Sequence, residues 1–277
     1  MTTSESRLSV SNLAWPVTED EAVATLLLDH GASGVEIAPG KVWPESPAVP
    51  EHDAAKYAQF WRNHGLQIVA FQAILFGRPQ LSLFAEGADP RDFHAHMVAM
   101  GALAAATSAR VLVLGAPANR RRGPLPFEAA LRQAAVILRP IAQDLAQYDV
   151  RLCIEPNPPR YGCDFITTAA EAVLLSEAVD QPNFGIHLDA AALILSGETT
   201  GRALRNVLPH VHHFHISDID LAPLGTTDAA PHAQLGRTLR DGGYRGWFSI
   251  EMLEGKSETW NTALPRAIAF AREHYCD

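Results

Sequence analysis

Along this chain, short apolar runs of four to six residues alternate with longer stretches in which apolar positions recur at helical spacing. A parallel strand buried on both faces reads as a near-continuous apolar run, so the alternation predicts β/α units wound around a parallel sheet. Eight runs read as strands: Leu8 to Leu13, Gly34 to Ile37, Gln67 to Phe71, Val111 to Leu114, Arg151 to Ile154, Phe184 to Leu188, Val211 to Ile216 and Trp247 to Glu251. The stretches between them carry helix punctuation. Thr18 before EDEAVATLLLDHG offers an N-cap with an acidic first turn, and Gly31 ends that helix. Asp89-Pro90 opens RDFHAHMVAMGALAAATSA with proline in the first turn. Thr167 or Thr168 precedes AAEAVLLSEAV, with Glu171 three residues beyond Thr168 as in a capping box. No Pro/Gly/Ser-rich linker or change of composition divides the chain. Eight pairs in 277 residues predict an α/β fold, a (β/α)8 TIM barrel, as a single domain over residues 1–277. An open nucleotide-binding sheet would show a glycine-rich phosphate loop after its first strand, and here that strand runs into NLAWPVTED.

Four of the later runs, RLCIE, FGIHLD, VHHFH and WFSIE, end on Glu155, Asp189, His215 and Glu251. In a parallel barrel the C-terminal strand ends converge over one mouth, so these four are expected to meet there. Three carboxylates and one imidazole form an oxygen-rich donor set for a single divalent ion, Mn²⁺, Mg²⁺, Co²⁺ or Zn²⁺, and spacing does not choose among them. Side chains alternate along a strand, which places Cys153 on the face of Glu155, His187 on that of Asp189 and His213 on that of His215. His187 and His213 then lie one layer below the cluster, either orienting a ligand or packed as buried histidines satisfied by their neighbours.

Other polar residues at strand ends are candidates to line a substrate pocket. Glu36 and Gln72 end the second and third strands and suit hydrogen bonds to hydroxyl groups. Trp15 follows the first strand and either stacks on an apolar face of a ligand or, like Trp43, packs under a loop. Arg78 in the third loop, and Asn119 and Arg120 in the fourth, are candidates to hold a phosphate or carboxylate, with a solvated loop tip as the alternative. Asn157, which follows Glu155 by two residues and shares its parity, and His187 complete the candidate substrate contacts.

Composition narrows the partners. The formal net charge of −9 disfavours nucleic acid, whose phosphates need an extended Lys/Arg surface. No stretch approaches the roughly 20 apolar residues that span a bilayer, and MTTSESRLSVSN holds no apolar block of a signal peptide, so no membrane association and a cytoplasmic location are expected. Three cysteines without CxxC spacing argue against a thiolate zinc site, and Cys153 reads as a small core residue. Barrels often associate with copies of themselves, and homo-oligomerisation stays open.

The segments IEPNPPRYGCDF, HLDAA, HFHISD and GYRGWFSIEM resemble the sugar phosphate isomerase/epimerase family, the xylose isomerase-like TIM barrels. SNLAWP, GVEIAPGKVWP, FQAILFGRP and VLVLGAPANR extend the resemblance over nearly the whole chain. It implies that Glu155, Asp189, His215 and Glu251 bind one divalent metal and that Glu155 and Glu251 double as the acid/base pair. The expected activity is isomerisation or epimerisation of a small sugar, sugar phosphate or related polyol ketone, by proton transfer through an enediolate. Two positions depart from the family pattern. Many epimerases of this group carry a histidine where this chain has Ala192 and an arginine where it has Leu221. That keeps a metal-dependent dehydratase of a keto-polyol as the alternative, ahead of a non-catalytic binding barrel or an apurinic endonuclease, which needs more histidines and a basic face.

Overall fold

The computed structural model describes residues 7–199, 201–228, 230–256 and 258–276; the N-terminal residues 1–6, part of the stretch read for a signal peptide, lie outside the described residues. Its strands are Leu8–Ser11 (β1), Gly34–Ile37 (β2), Gln67–Phe71 (β3), Val111–Leu114 (β4), Arg151–Ile154 (β5), Phe184–Asp189 (β6), Val211–Ser217 (β7) and Trp247–Glu251 (β8). All neighbours pair in parallel and β1 pairs with β8, so the sheet closes into the expected barrel. Around it lie the helices Asp20–Asp29 (α1), Pro39–Val42 (α2), Glu51–Asn63 (α3), Pro90–Ala106 (α4), Phe127–Ala146 (α5), Ala169–Val179 (α6), Ala190–Ser196 (α7), Gly201–Val207 (α8), Ala230–Asp241 (α9) and Trp260–Ala271 (α10). Among the described residues no helix is long and apolar enough to cross a membrane.

Strand alternation divides the core in two. Leu8, Val10, Leu112, Leu114, Leu152, Ile154, Phe214 and Ile216 join the large cluster packed under the helices. Val69, Val111, Val113, Cys153 and Trp247 form a small separate cluster that plugs the barrel interior below the polar strand ends. Packing there is tight enough to require glycine at position 34, where a Cβ would sit 2.8 Å from Val69 Cγ1 and 3.0 Å from the Trp247 ring.

Two local readings are corrected. β1 stops at Ser11 rather than Leu13, because the Ser11 hydroxyl accepts the Leu13 N–H (3.2 Å) and starts a 3₁₀ turn over Asn12–Ala14. The next helix begins at Asp20 without a Thr18 cap: Val17–Glu19 form a 3₁₀ turn closed by Glu19 N–H on Pro16 O, and Glu19 takes the cap position. Elsewhere the punctuation holds. Asp89 caps α4 ahead of Pro90, and Thr168 caps α6 by accepting the Glu171 N–H at 3.2 Å while the Glu171 carboxylate accepts the Thr167 N–H at 2.6 Å. Thr168→Ala is therefore expected to lower global stability by about 1 kcal/mol, read as a lower urea midpoint at unchanged slope.

Candidate functional site

The strand register brings the four strand-end residues to one point. Asp189 pairs with His215 across β6 and β7, and Ser217, two residues further, pairs with Glu251 on β8. Between β6 and β7 the register slips by one residue at His212, so that His187 and Asp189 stand level with His213 and His215. On the other side, β4 and β5 run in register to Leu114 and Ile154, leaving Gly115 beside Glu155. A Cβ on Gly115 would collide with Glu155 Oε2, so the glycine makes room for the carboxylate.

Glu155, Asp189 and His215 each present a ligand-capable atom, all within 4.8 Å of one another, and could hold a metal ion. Glu251 Oε2 lies 3.3 Å from His215 Nδ1 and completes the group. Asp189 is fixed by two protein donors: its Oδ1 accepts the Ala192 N–H at 2.7 Å, which caps α7, and its Oδ2 accepts the Ser217 hydroxyl.

Beneath the cluster, Glu36 is wholly buried and its Oε2 lies 2.8 Å from His215 Nε2 and 3.1 Å from His213 Nε2. A carboxylate only accepts, so each Nε2 carries the hydrogen and the Nδ1 of His215 is the nitrogen turned to the cluster. His187, fully buried, stacks edge-on against His215 with ring centroids 4.0 Å apart, and its Nε2 lies 3.9 Å from Glu155 Oε1.

Charge is crowded here. Burial, reinforced by Asp189 and Glu251, pushes the Glu155 carboxyl up to about 8. Burial and Glu251 push Asp189 up to about 6, against the opposing pull of His215 and the Ser217 hydrogen bond. For His215 burial opposes a charge, but Glu36 and Glu251 outweigh it and hold the imidazole well above its usual range. Burial would likewise raise Glu36, and His215 and His213 hold it well below. Burial keeps His187 neutral, helped by His215 and His213.

A cavity of about 590 Å³ opens above the cluster, lined by Glu155, Asp189 and Glu251 together with Ala116, Pro117, Asn157, Tyr161, Ala191, Asp218, Asp220, Leu221 and Lys256. A smaller one of about 170 Å³, lined by Gln72, Ile74, Gly115 and His215 among others, also touches both Glu155 and Glu251. Of the residues read as substrate contacts, Asn157 lines the larger cavity and Gln72 the smaller, where its Nε2 donates to Ser11 Oγ at 2.6 Å. Glu36 and His187 sit below the cluster and line neither.

The other four are placed away from the cavity. Trp15 is fully buried, donates its Nε1–H to Asp20 Oδ1 at 2.7 Å and packs edge-on against Trp61, because the early end of β1 turns the chain down toward α3. Arg78 donates to the Ser46 carbonyl, and Asn119 donates to the carbonyls of Arg78 (2.8 Å) and Leu81 (2.7 Å). Arg120 is only 1% exposed; its guanidinium is taken up by the carbonyls of Gly115, Glu155, Phe165 and Ile166 and by Asn157 Oδ1. None of these groups is turned to an anion at the mouth. The sequence reading did not single out Gly115, Tyr161, Ser217, Asp218 or Lys256. Ser217 shares the parity of His215 and was within its reach, whereas Tyr161 and Lys256 lie on loops that carry no periodic signal.

Comparison with known proteins agrees with this architecture. A crystal structure of D-psicose 3-epimerase in the presence of D-fructose superposes with a TM-score of 0.79 at 16% identity, covering 97% of this chain and 99% of that one. The D-psicose 3-epimerase with D-tagatose from Clostridium cellulolyticum H10 gives 0.78 at 15% identity over 97% and 98%, and the 3-keto-D-glucoside 4-epimerase from E. coli gives 0.78 at 18% over 97% and 99%. In sequence the chain is 25% identical over 140 residues to a probable ketose 3-epimerase of Synechocystis sp., and it spans about half the length of that relative (48% of each chain). The family model described as xylose isomerase-like TIM barrel matches residues 24–274, and with the closed eight-stranded barrel it shows that the chain belongs to that family.

Proposed function

We propose that this protein is a divalent-metal-dependent epimerase of a small ketose, moving a proton on and off the carbon beside the carbonyl. The observation that carries the reading is the placement of Glu155 and Glu251, which line both the larger and the smaller cavity around one cluster with Asp189 and His215. A pair of carboxylates flanking a bound ketose can take a proton from one face and return it on the other through an enediolate.

The donor set fits a divalent ion. Three carboxyl groups, Asp189 buried and Glu155 and Glu251 half-buried, crowd negative charge around His215, and the raised Glu155 and Asp189 report that crowding. Glu155, Asp189, Glu251 and the Nδ1 of His215 would hold the ion, with Glu36 fixing the ring from behind. Bound there, a divalent ion supplies a positive charge that stabilises negative charge on the substrate oxygens.

The cavity wall favours a neutral sugar over a sugar phosphate. Among the described lining residues Lys256 is the only cation; its ammonium donates to the Asp220 carbonyl, while Arg160 pairs with Asp220 at 2.8 Å. Arg78 and Arg120 are bound to backbone carbonyls. A phosphate would meet Asp218 and Asp220 without a guanidinium to pair it. The names of the structurally similar epimerases accord with a ketose substrate.

Three outcomes test the reading. Mn²⁺-loaded protein incubated with a ketose panel in D₂O is expected to exchange the proton beside the carbonyl and form the epimer without loss of water, followed by NMR. Glu155→Gln and Glu251→Gln should each slow that exchange by about 10²–10⁴-fold; unchanged exchange in both variants, or formation of an enone, would sink it. Elemental analysis is expected to give about one divalent ion per chain, the number a single four-residue donor set accommodates.

The pH dependence has a definite sign. Glu155 and Asp189 have folded pKa values above their ordinary ones, so their contribution to metal-free stability is complete below about pH 4 and is lost as pH rises through about 6 and about 8. Added Mn²⁺ should therefore raise the melting temperature more at pH 8, where these carboxyl groups are ionised, than at pH 5, where the ion must displace their protons. An equal shift at both values would contradict the carboxylate assignment.

A further inference from the structure

The residue after β7, Asp218, is 3% exposed and lines the larger cavity. Its two oxygens are treated differently. Oδ1 accepts the Thr227 hydroxyl and lies 3.2 Å from His232 Nε2, whereas Oδ2 is buried and has no hydrogen-bond partner. Leaving a buried carboxylate oxygen unmet costs about 1–3 kcal/mol or more, so the fold holds an acceptor there at some expense.

The device that holds it extends well behind the cavity. His232, on α9, is fully buried, and its Nδ1 lies 2.7 Å from the Tyr275 hydroxyl, which is also buried. Because the Asp218 carboxylate can only accept, Nε2 carries the imidazole hydrogen, Nδ1 accepts, and the Tyr275 hydroxyl donates. Burial, together with Asp189 and Asp218, keeps the Tyr275 phenol protonated, as a donor must be. The chain Tyr275, His232, Asp218 therefore has one direction and fixes the Asp218 rotamer.

The loop beyond Asp218 is strained in the same cause. Asp220 and Leu221 are consecutive non-glycine residues with φ of 58° and 54°, a conformation that costs of order 1 kcal/mol each. It is held by the Arg160–Asp220 ion pair at 2.8 Å and by Leu253 N–H on the Leu221 carbonyl at 3.0 Å. The strained turn lets Asp218, Asp220 and Leu221 all border the cavity.

We propose that Asp218 is a substrate-orienting carboxylate whose free Oδ2 accepts a hydroxyl of the ketose beside the reacting carbons, with His232 and Tyr275 as the positioning residues that aim it. The assignment rests on the epimerase reading above. It supplies a polar contact on the β7 side of the mouth, where Leu221 offers only an apolar side chain. An acceptor built to meet a hydroxyl also discriminates against analogues that lack it, since the buried oxygen is then left unpaired.

The test uses full-length, Mn²⁺-loaded protein with D-fructose and D-tagatose as probes, following proton exchange beside the carbonyl in D₂O. Asp218→Ala is expected to raise KM about tenfold or more while kcat changes less than about threefold, with metal content unchanged and the protein fully folded at the assay temperature. Asp218→Asn, nearly the same size, should fall between wild type and Asp218→Ala. His232→Leu should raise KM in the same direction, and His232→Gln, which restores a donor to Oδ1, should recover part of it. If wild type turns the ketoses over and both Asp218 variants keep its KM, the assignment is wrong and the epimerase reading stands. It is equally wrong if kcat falls together with the rise in KM and both track a lowered melting temperature, because the role is then structural. Wild type that exchanges no ketose proton defeats the epimerase reading and the assignment with it.

Discussion

The structure is organised around like charge held out of water. Glu155, Asp189 and Glu251 converge at the end of the barrel where the apolar plug gives way to polar side chains, with the His215 imidazole among them. Burial disfavours the charges of Glu155, Asp189 and His215, so the arrangement persists only where the surrounding barrel fixes each group. Glu36 is the counterweight: wholly enclosed and bonded to two histidines, it orients His215 from below and carries negative charge to the side away from the mouth. A protein selected for stability alone would fill this volume with aliphatic side chains. Retaining the crowding accords with a site meant to receive a cation.

The scaffold's irregular features serve the same end. The register slip at His212 aligns β6 with β7, and the bare Cα of Gly115 accommodates the Glu155 carboxylate. Arg120 ties the loop after β4 to the loops after β5 by converging on carbonyls from Gly115, Glu155, Phe165 and Ile166. Its charge is satisfied by backbone dipoles rather than by a carboxylate, and in return it holds the backbone of Glu155 in place. Non-glycine residues with positive φ recur at this face, at Ala73, Ala116, Ile166, Asp220 and Leu221, all in the loops that form the mouth.

The cavity above the cluster has a different character on its two sides. One carries the carboxyl groups of Glu155, Asp189 and Glu251; the other, built by the turn after β7, sets Asp218 with apolar Leu221 and Tyr161.

The eight strands and the meeting of Glu155, Asp189, His215 and Glu251 were legible in the chain, because both follow from local rules: apolar runs mark strands, and alternation assigns faces. The capping of α4 and α6 was legible for the same reason, since a cap reaches only three residues. Trp15, Arg78, Asn119 and Arg120 could not be placed this way. Each follows a strand as a pocket residue would, yet one buries its indole against Trp61 and the others bond carbonyls up to 46 residues away. Nor does any pattern in the sequence link Asp218 to His232 and Tyr275, which meet only because α9 and the C-terminal turn pack behind β7. Sequence determined which residues stand at the ends of strands, a matter of period and parity. Which of the loop residues reach the cavity, and which are used up in holding the loops, was decided by tertiary packing, because a hydrogen bond between distant segments has no period to read.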